Sequence, residues 1–196
     1  MAMRAPGAVV EGLVLRPEKP VHGGTVLARD GGRIVFVHQA LAGEVVRTEP
    51  LGRRGGAEFA RAVEVLEKSP DRVVARCRHF GVCGGCQWQH ASYPAQLRLK
   101  LAVTEEVWAR AGLRLPPGTP ILGMEDPWRY RVRGEFEAFY RRLEGADAAE
   151  RELVLGFHRM RSHQVVPIEE GPIHHERIER GLLAFRSAAR RLGVYG

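Results

Sequence analysis

Three cysteines, Cys77, Cys83 and Cys86, share the segment Cys77-Arg-His-Phe-Gly-Val-Cys83-Gly-Gly-Cys86-Gln-Trp-Gln-His90. Five and then two residues separate them, a spacing that lets three sulfurs converge on one metal centre. Thiolates are soft ligands that favour zinc or an iron–sulfur cluster. Gly84 and Gly85 remove side chains where the backbone must fold tightly around such a centre. Spacing alone leaves the chemistry open. A zinc ion could recruit His79 or His90 as a fourth ligand. Cys83 or Cys86 could instead be a nucleophile activated by neighbouring dipoles, or all three could be unliganded thiols. An odd number of cysteines behind an N-terminus with no apolar run argues against a disulfide framework and predicts a reducing, cytoplasmic setting.

Charge narrows the partners. The 196 residues carry 30 basic and 23 acidic side chains, a net charge of +7. Only Lys19, Lys68 and Lys100 are lysines; the other 27 basic residues are arginine. Arginine suits bidentate phosphate recognition, although a GC-rich genome produces the same bias without any function. Apolar runs such as Ile34–Val37 are far too short to span a bilayer, so no membrane partner is expected. A nucleic acid is.

The elements that would hold these residues fall into two groups. Five strand-like runs, Ala8–Leu15, Gly24–Ala28, Arg33–Val37, Glu44–Leu51 and Glu58–Glu67, alternate with the turn signals Pro17 to Pro20, Asp30-Gly31-Gly32, Leu41-Ala42-Gly43 and Arg53-Arg54-Gly55-Gly56. That pattern predicts a small five-stranded OB-like barrel over residues 1–70, an open antiparallel sheet being the other solution. Ser69-Pro70-Asp71 reads as the linker. Residues 71–196 read as an α+β domain. It comprises the cysteine loop (77–90), a helix (94–111) capped at Ser92 with Leu97, Leu101, Trp108 and Ala111 facing a core, and an alternating strand from Tyr130 to Tyr140. Beyond the polar stretch Glu144–Glu150 come two more strands, Glu152–His158 and Gln164–Ile168. A last helix follows near Glu176–Leu192, with Ile178, Leu182, Phe185 and Leu192 on one stripe. The fold class expected is mainly β to α+β.

Several segments occur in a familiar order: Val21-His-Gly-Gly24, Gly32-Arg-Ile-Val-Phe-Val37 and Ala40-Leu-Ala-Gly-Glu44, then Ser69-Pro-Asp-Arg72, then Cys77 to Gln89 followed by Gln96 and Lys100. Trp128-Arg-Tyr-Arg131, Gly156-Phe-His-Arg159, Ser162-His163 and Val166-Pro-Ile168 complete the series. Together they resemble the bacterial S-adenosylmethionine-dependent RNA (uracil-5-)-methyltransferases, especially the 23S rRNA branch. The first three segments look like the TRAM signature of that family, an OB-like RNA-binding barrel. The cysteine segment looks like its cluster loop, and the last segments like the sheet of its central domain.

The resemblance implies a 4Fe–4S cluster held in part by Cys77, Cys83 and Cys86, with zinc as the alternative. The family's fourth cysteine falls where this chain has Gly171; His174 or His175 lies close enough in sequence to substitute, the other outcomes being a three-cysteine cluster with an open iron or an empty, vestigial site. It implies RNA, ribosomal in kind, as partner, with the methyl donor, nucleophilic cysteine and general base in a Rossmann-like domain that follows the central one. No strand, glycine-rich turn and helix of that kind is present in these residues. No catalytic residue is therefore expected, and the chain reads as the noncatalytic RNA-binding front of such an enzyme, the alternative being a stand-alone RNA-binding module stapled by a metal. The RNA contacts expected are Arg33, Phe36, His38, Arg53 and Arg54 on the barrel. On the central sheet they are Arg131 and Arg133, sharing one strand face, with Phe157, His158, Arg159 and Arg161. Phosphate contacts would set affinity and register, and aromatic faces would hold unstacked bases.

Overall fold

Asp30 closes a strand and Arg33 opens the next, so the chain must reverse within Gly31-Gly32. Both glycines take positive φ, +52° and +83°, as a tight hairpin requires. Around this turn the computed structural model, which describes residues 12–142 and 151–193, builds a six-stranded sheet. Its strands are β1 (Val14–Leu15), β2 (Lys19–Val21), β3 (Thr25–Asp30), β4 (Arg33–His38), β5 (Val45–Arg54) and β6 (Ala57–Glu67). The order is β1-β5-β6-β4-β3-β2, antiparallel except for the parallel pair β4–β6. Edge strands β1 and β2 are consecutive in the chain, joined only by residues 16–18. The sheet therefore has to curl until its two edges lie near each other.

The expected five strands are thus six. Pro17–Pro20, read as a turn, contributes β2, an edge strand where Pro20 needs no ladder hydrogen bond on its outer side. Residues 8–11 of the expected first strand lie outside the described residues. Leu15, Ala28, Val35, Val37, Ala40, Val46 and Ala60 form the core inside the curl. Burial of such side chains supplies most of the stabilisation, about 1.5–3 kcal/mol for each large one.

Beside this core lies a buried ion pair that sequence reading did not find. Glu44 is fully buried. Its carboxylate accepts from Leu41 N (2.8 Å), Ser69 N (3.2 Å) and two nitrogens of Arg72, Nε at 2.5 Å and Nη2 at 2.6 Å. Arg72 also donates to Gln39 O at 2.8 Å. Burial alone would raise the Glu44 pKa, but the Arg72 contact and the two backbone N–H groups bring it below the usual value.

Compact units do not follow the expected boundary after residue 70. The first unit combines the residues up to Val74 with His90–Ile121; the second combines Ala75–Gln89 with the residues from Leu122 onward. Helix α1 (Tyr93–Arg110) thus belongs with the curled sheet, and only the cysteine segment with the later strands. Asp71 anchors α1 by accepting from Ser92 N through its carbonyl (2.8 Å) and from Arg98 through both carboxylate oxygens (2.7 Å each). The packing of α1 is lighter than its pattern suggested. Ala95 is its buried residue, Leu97 and Leu101 are half-buried, and Trp108 and Ala111 are exposed.

In the second unit β7 (Glu137–Arg142), β8 (Arg151–His158) and β9 (Val165–Pro167) form an antiparallel sheet in that order. The strand expected from Tyr130 is confined to its second half. Before it, Arg129 N, Arg131 N and His175 N bond along the segment 172–175 instead (to Pro172 O, Ile173 O and Arg131 O, 2.8–2.9 Å), which pulls residues 129–131 away from the sheet. Glu144–Glu150 lies outside the described residues. Gly156 is obligatory where β8 meets β9, because a Cβ there would run into the Val166 carbonyl.

Helix α2 (Glu176–Arg191) rests on this sheet through buried Leu182 and Ala189, while Phe185 and Leu192 of the expected stripe are exposed. Arg186 fastens it by donating to Leu155 O and Ile168 O, both at 2.9 Å. Neither described helix is long and apolar enough to cross a membrane.

Candidate functional site

The cysteine segment is a chain of tight turns docked on the end of β8. Phe80 N donates to Cys77 O (3.0 Å) and Cys83 N to His79 O (2.9 Å). Gly84 N then donates to His158 O (2.9 Å), and Met160 N returns a bond to Val82 O (3.0 Å). A Cβ on Gly84 would press on that His158 carbonyl at 3.2 Å, so the docking itself explains one glycine of the pair. Gln89, buried, accepts from Cys77 N through Oε1 at 3.0 Å and ties the end of the loop to its start.

All three thiols are free and half-buried. Burial pushes the Cys83 and Cys86 thiols up, and the neighbouring cysteines add to the shift. At Cys86 the Gln89 side chain and, more weakly, Arg131 oppose it only in part. A raised thiol pKa is the opposite of what an activated nucleophile requires. The histidines separate as well. His90 lies in the first unit, its ring Nε2 on Ala40 O at 3.2 Å, and burial depresses its pKa to about 4. His79 stays near the loop, its pKa lowered by burial and by Arg78. Among the described residues no three of His, Cys, Asp or Glu stand close enough together to hold a single metal ion.

Position 171, where a fourth cysteine would be expected, is filled from elsewhere. A Cβ at Gly171 would collide with His174 Nδ1. The His174 ring is 3% exposed and stacks on Phe157, centroids 5.6 Å apart, with Phe136 on the same cluster. Its Nε2 is buried with no hydrogen-bond partner, and burial with Arg131 nearby lowers its pKa. His175 has a different task. Its Nδ1 caps α2 by accepting from Arg177 N at 3.2 Å.

The expected RNA contacts also divide. Arg53 and Arg54 are exposed at the β5–β6 turn, Arg53 lying 3.8 Å from Glu58. Arg33 is exposed and pairs with Asp30 and Glu58. Phe36 is half-buried and packs at 5.3 Å on Phe59, an aromatic partner that sequence reading missed although β6 alternates around it. His38 is buried and faces Phe59, ring centroids 6.4 Å apart.

In the second unit Arg131 and Arg133 do not share a strand face, since no strand forms there; Arg133 pairs with Glu135 at 2.5 Å. Phe157 is half-buried and packs with Phe136 and His174 in a three-ring cluster. His158, Arg159 and Arg161 remain exposed, with His158 3.3 Å from Glu137. Arg76 lies over the Trp128 ring at 5.0 Å, a cation–π contact with no local sequence signal.

No protein-family model matches the chain. An uncharacterised RNA methyltransferase of Halalkalibacterium halodurans is 36% identical over 180 residues, which is 91% of this chain and 38% of the relative. The 23S rRNA (uracil(1939)-C(5))-methyltransferase of Xylella fastidiosa is 45% identical over 59% of this chain and 27% of its own length. That of Methylococcus capsulatus is 36% identical over 86% and 37%. The chain therefore spans less than two-fifths of the curated relatives it matches. Among solved structures, the Pyrococcus abyssi tRNA (uracil-54, C5)-methyltransferase superposes with a TM-score of 0.55 over 91% of this chain and 37% of its own. At 16% identity that likeness speaks for the fold alone.

Proposed function

We propose, for a chain whose homologues are RNA methyltransferases of the 23S rRNA uracil-C5 type, that these residues grip and place RNA for uracil methylation without performing the transfer. The observation that carries this reading is the 91% of the chain, reaching into both units, that aligns with an RNA methyltransferase. Two further features support it. The curled six-stranded sheet is consistent with an OB-like barrel of the TRAM type, and burial raises the Cys83 and Cys86 thiol pKa values, the opposite of what a nucleophile needs. The residues assigned to phosphate contact are Arg33, Arg53 and Arg54 on the barrel with Arg131, Arg159 and Arg161 on the second unit, all exposed.

Binding of a 23S rRNA fragment, followed by fluorescence anisotropy against salt, tests the proposal. Micromolar or tighter affinity that falls linearly with log salt is expected. Replacing Arg53 and Arg54 together by alanine should lower the slope by roughly 0.7–0.9 for each phosphate the protein ceases to neutralise. Salt-independent or absent binding overturns the reading.

The cysteine loop is proposed to hold a 4Fe–4S cluster. Its donor set fits in kind: three soft thiols on one docked loop, each half-buried. It is one donor short of four. The buried, unpartnered Nε2 of His174 makes that residue a better candidate for the fourth ligand than His175, which caps α2. Zinc, held by the same thiols, is the alternative. A bound cluster would staple the loop to the sheet. Anaerobically purified protein should contain iron and acid-labile sulfide in roughly equal amounts for a 4Fe–4S stoichiometry. Folded protein free of both would remove the cluster.

A further inference from the structure

Beside α1 the first unit keeps an apolar pocket of about 210 Å³. Phe36 and Phe59, neighbours in the parallel β4–β6 register with rings 5.3 Å apart, line one part. Val103 and Val107 of α1 line another, and Val107 is 48% exposed, so the pocket opens to water. A half-open apolar cavity of this size has room for one flat ring but not for a larger ligand. Glu106 and Arg110 line it, and Lys19 stands beside it through Glu106. Glu106 accepts from Lys19 at 3.0 Å and from Arg110, leaving two cations around one carboxylate. Both cations are largely exposed, and such surface pairs exchange partners at little cost.

We propose that this pocket seats one unstacked base of single-stranded RNA, its face against the Phe36–Phe59 pair and its flanking phosphates on Lys19 and Arg110. The proposal rests on the RNA-binding reading above and adds to it a base site. An aromatic pair provides a stacking platform that any base can use. Glu106, freed of one cation by a phosphate, accepts an N–H from the edge of the base. An apolar peptide would fill the same cavity but offers no phosphate for Lys19 and Arg110.

The probe is a short single-stranded oligouridylate with one central 2-aminopurine, whose fluorescence is quenched on stacking, and an end label for anisotropy. The full 196-residue chain is used. Quenching on binding is expected. Phe36→Leu, which keeps the apolar volume but removes the ring, should abolish most of the quenching and weaken binding roughly tenfold. Val107→Glu, on the exposed helix face, should do the same without touching the sheet. If anisotropy reports binding but the 2-aminopurine stays bright, or if both variants quench like the parent, the pocket is not a base site while the RNA reading stands. If no anisotropy change occurs even at low salt, both fall together.

Discussion

Replacing Glu44 by alanine is expected to cost the first unit about 3–5 kcal/mol, the usual penalty for removing one partner of a buried ion pair. That is a large share of a domain's whole stability, about 5–15 kcal/mol. The loss follows from what remains behind. Arg72, largely enclosed, would keep its bond to Gln39 O but have no carboxylate to meet, and Leu41 N and Ser69 N would be left without an acceptor. Glu44→Gln keeps an oxygen for part of this set and should fall between parent and alanine. Urea unfolding monitored by circular dichroism gives the comparison. A Glu44→Ala protein with a parental midpoint would show that the pair is stabilised no better than its unfolded, hydrated state. A double-mutant cycle with Arg72→Ala should return a coupling well above that of the exposed pair Arg47–Glu64.

Acid is expected to weaken the same unit well before carboxylates in general titrate. His90 has its pKa depressed to about 4 from 6.5, first because it is buried and further because Arg72 is near, against the opposing bond to Ala40 O. The unfolded chain takes up this proton near pH 6.5, while the folded one refuses it until about pH 4. The His90 contribution is therefore complete above 6.5, declines as pH falls, and is exhausted at about 4. The full difference amounts to roughly 3 kcal/mol, of which roughly 2 kcal/mol is gone by about pH 5. Glu44, whose folded pKa lies below its ordinary 4.5, extends the loss in the same direction at lower pH. Urea midpoints measured from neutral to acid pH should fall accordingly, and His90→Gln should flatten the upper part of that decline. A parent profile that is already flat from neutral pH to about pH 5 would mean that His90 accepts its proton without opening the fold.

Local patterns were the legible part of this chain. The two glycine-bearing hairpins, both helices and the cysteine loop are written within a dozen or so neighbouring residues, and each forms close to where its pattern lies. What failed was non-local. Residues 130–136 alternate like a strand, but a strand is defined by its partner, and here the backbone found the segment 172–175 first. Pro17–Pro20 looks like a turn from its prolines, yet an edge strand tolerates one of them. Nothing near Glu44 indicates that its partner lies 28 residues away, and nothing near α1 says which core receives it. At the candidate site, the thiols and exposed arginines could be read from residue type. The burial of His38 and the packing of Phe157 on His174 could not, because both depend on the packing of distant elements.

Because the first unit is completed by His90–Ile121, after the chain has left it for Ala75–Gln89, it is a discontinuous body. During synthesis the curled sheet emerges without the histidine that rests on Ala40 and without α1, and waits for both. The cysteine segment is threaded out and back in the meantime. A nascent chain thus passes through a stage in which its curled sheet still lacks α1 and its cysteine segment has not yet met β8, the strand on which it docks.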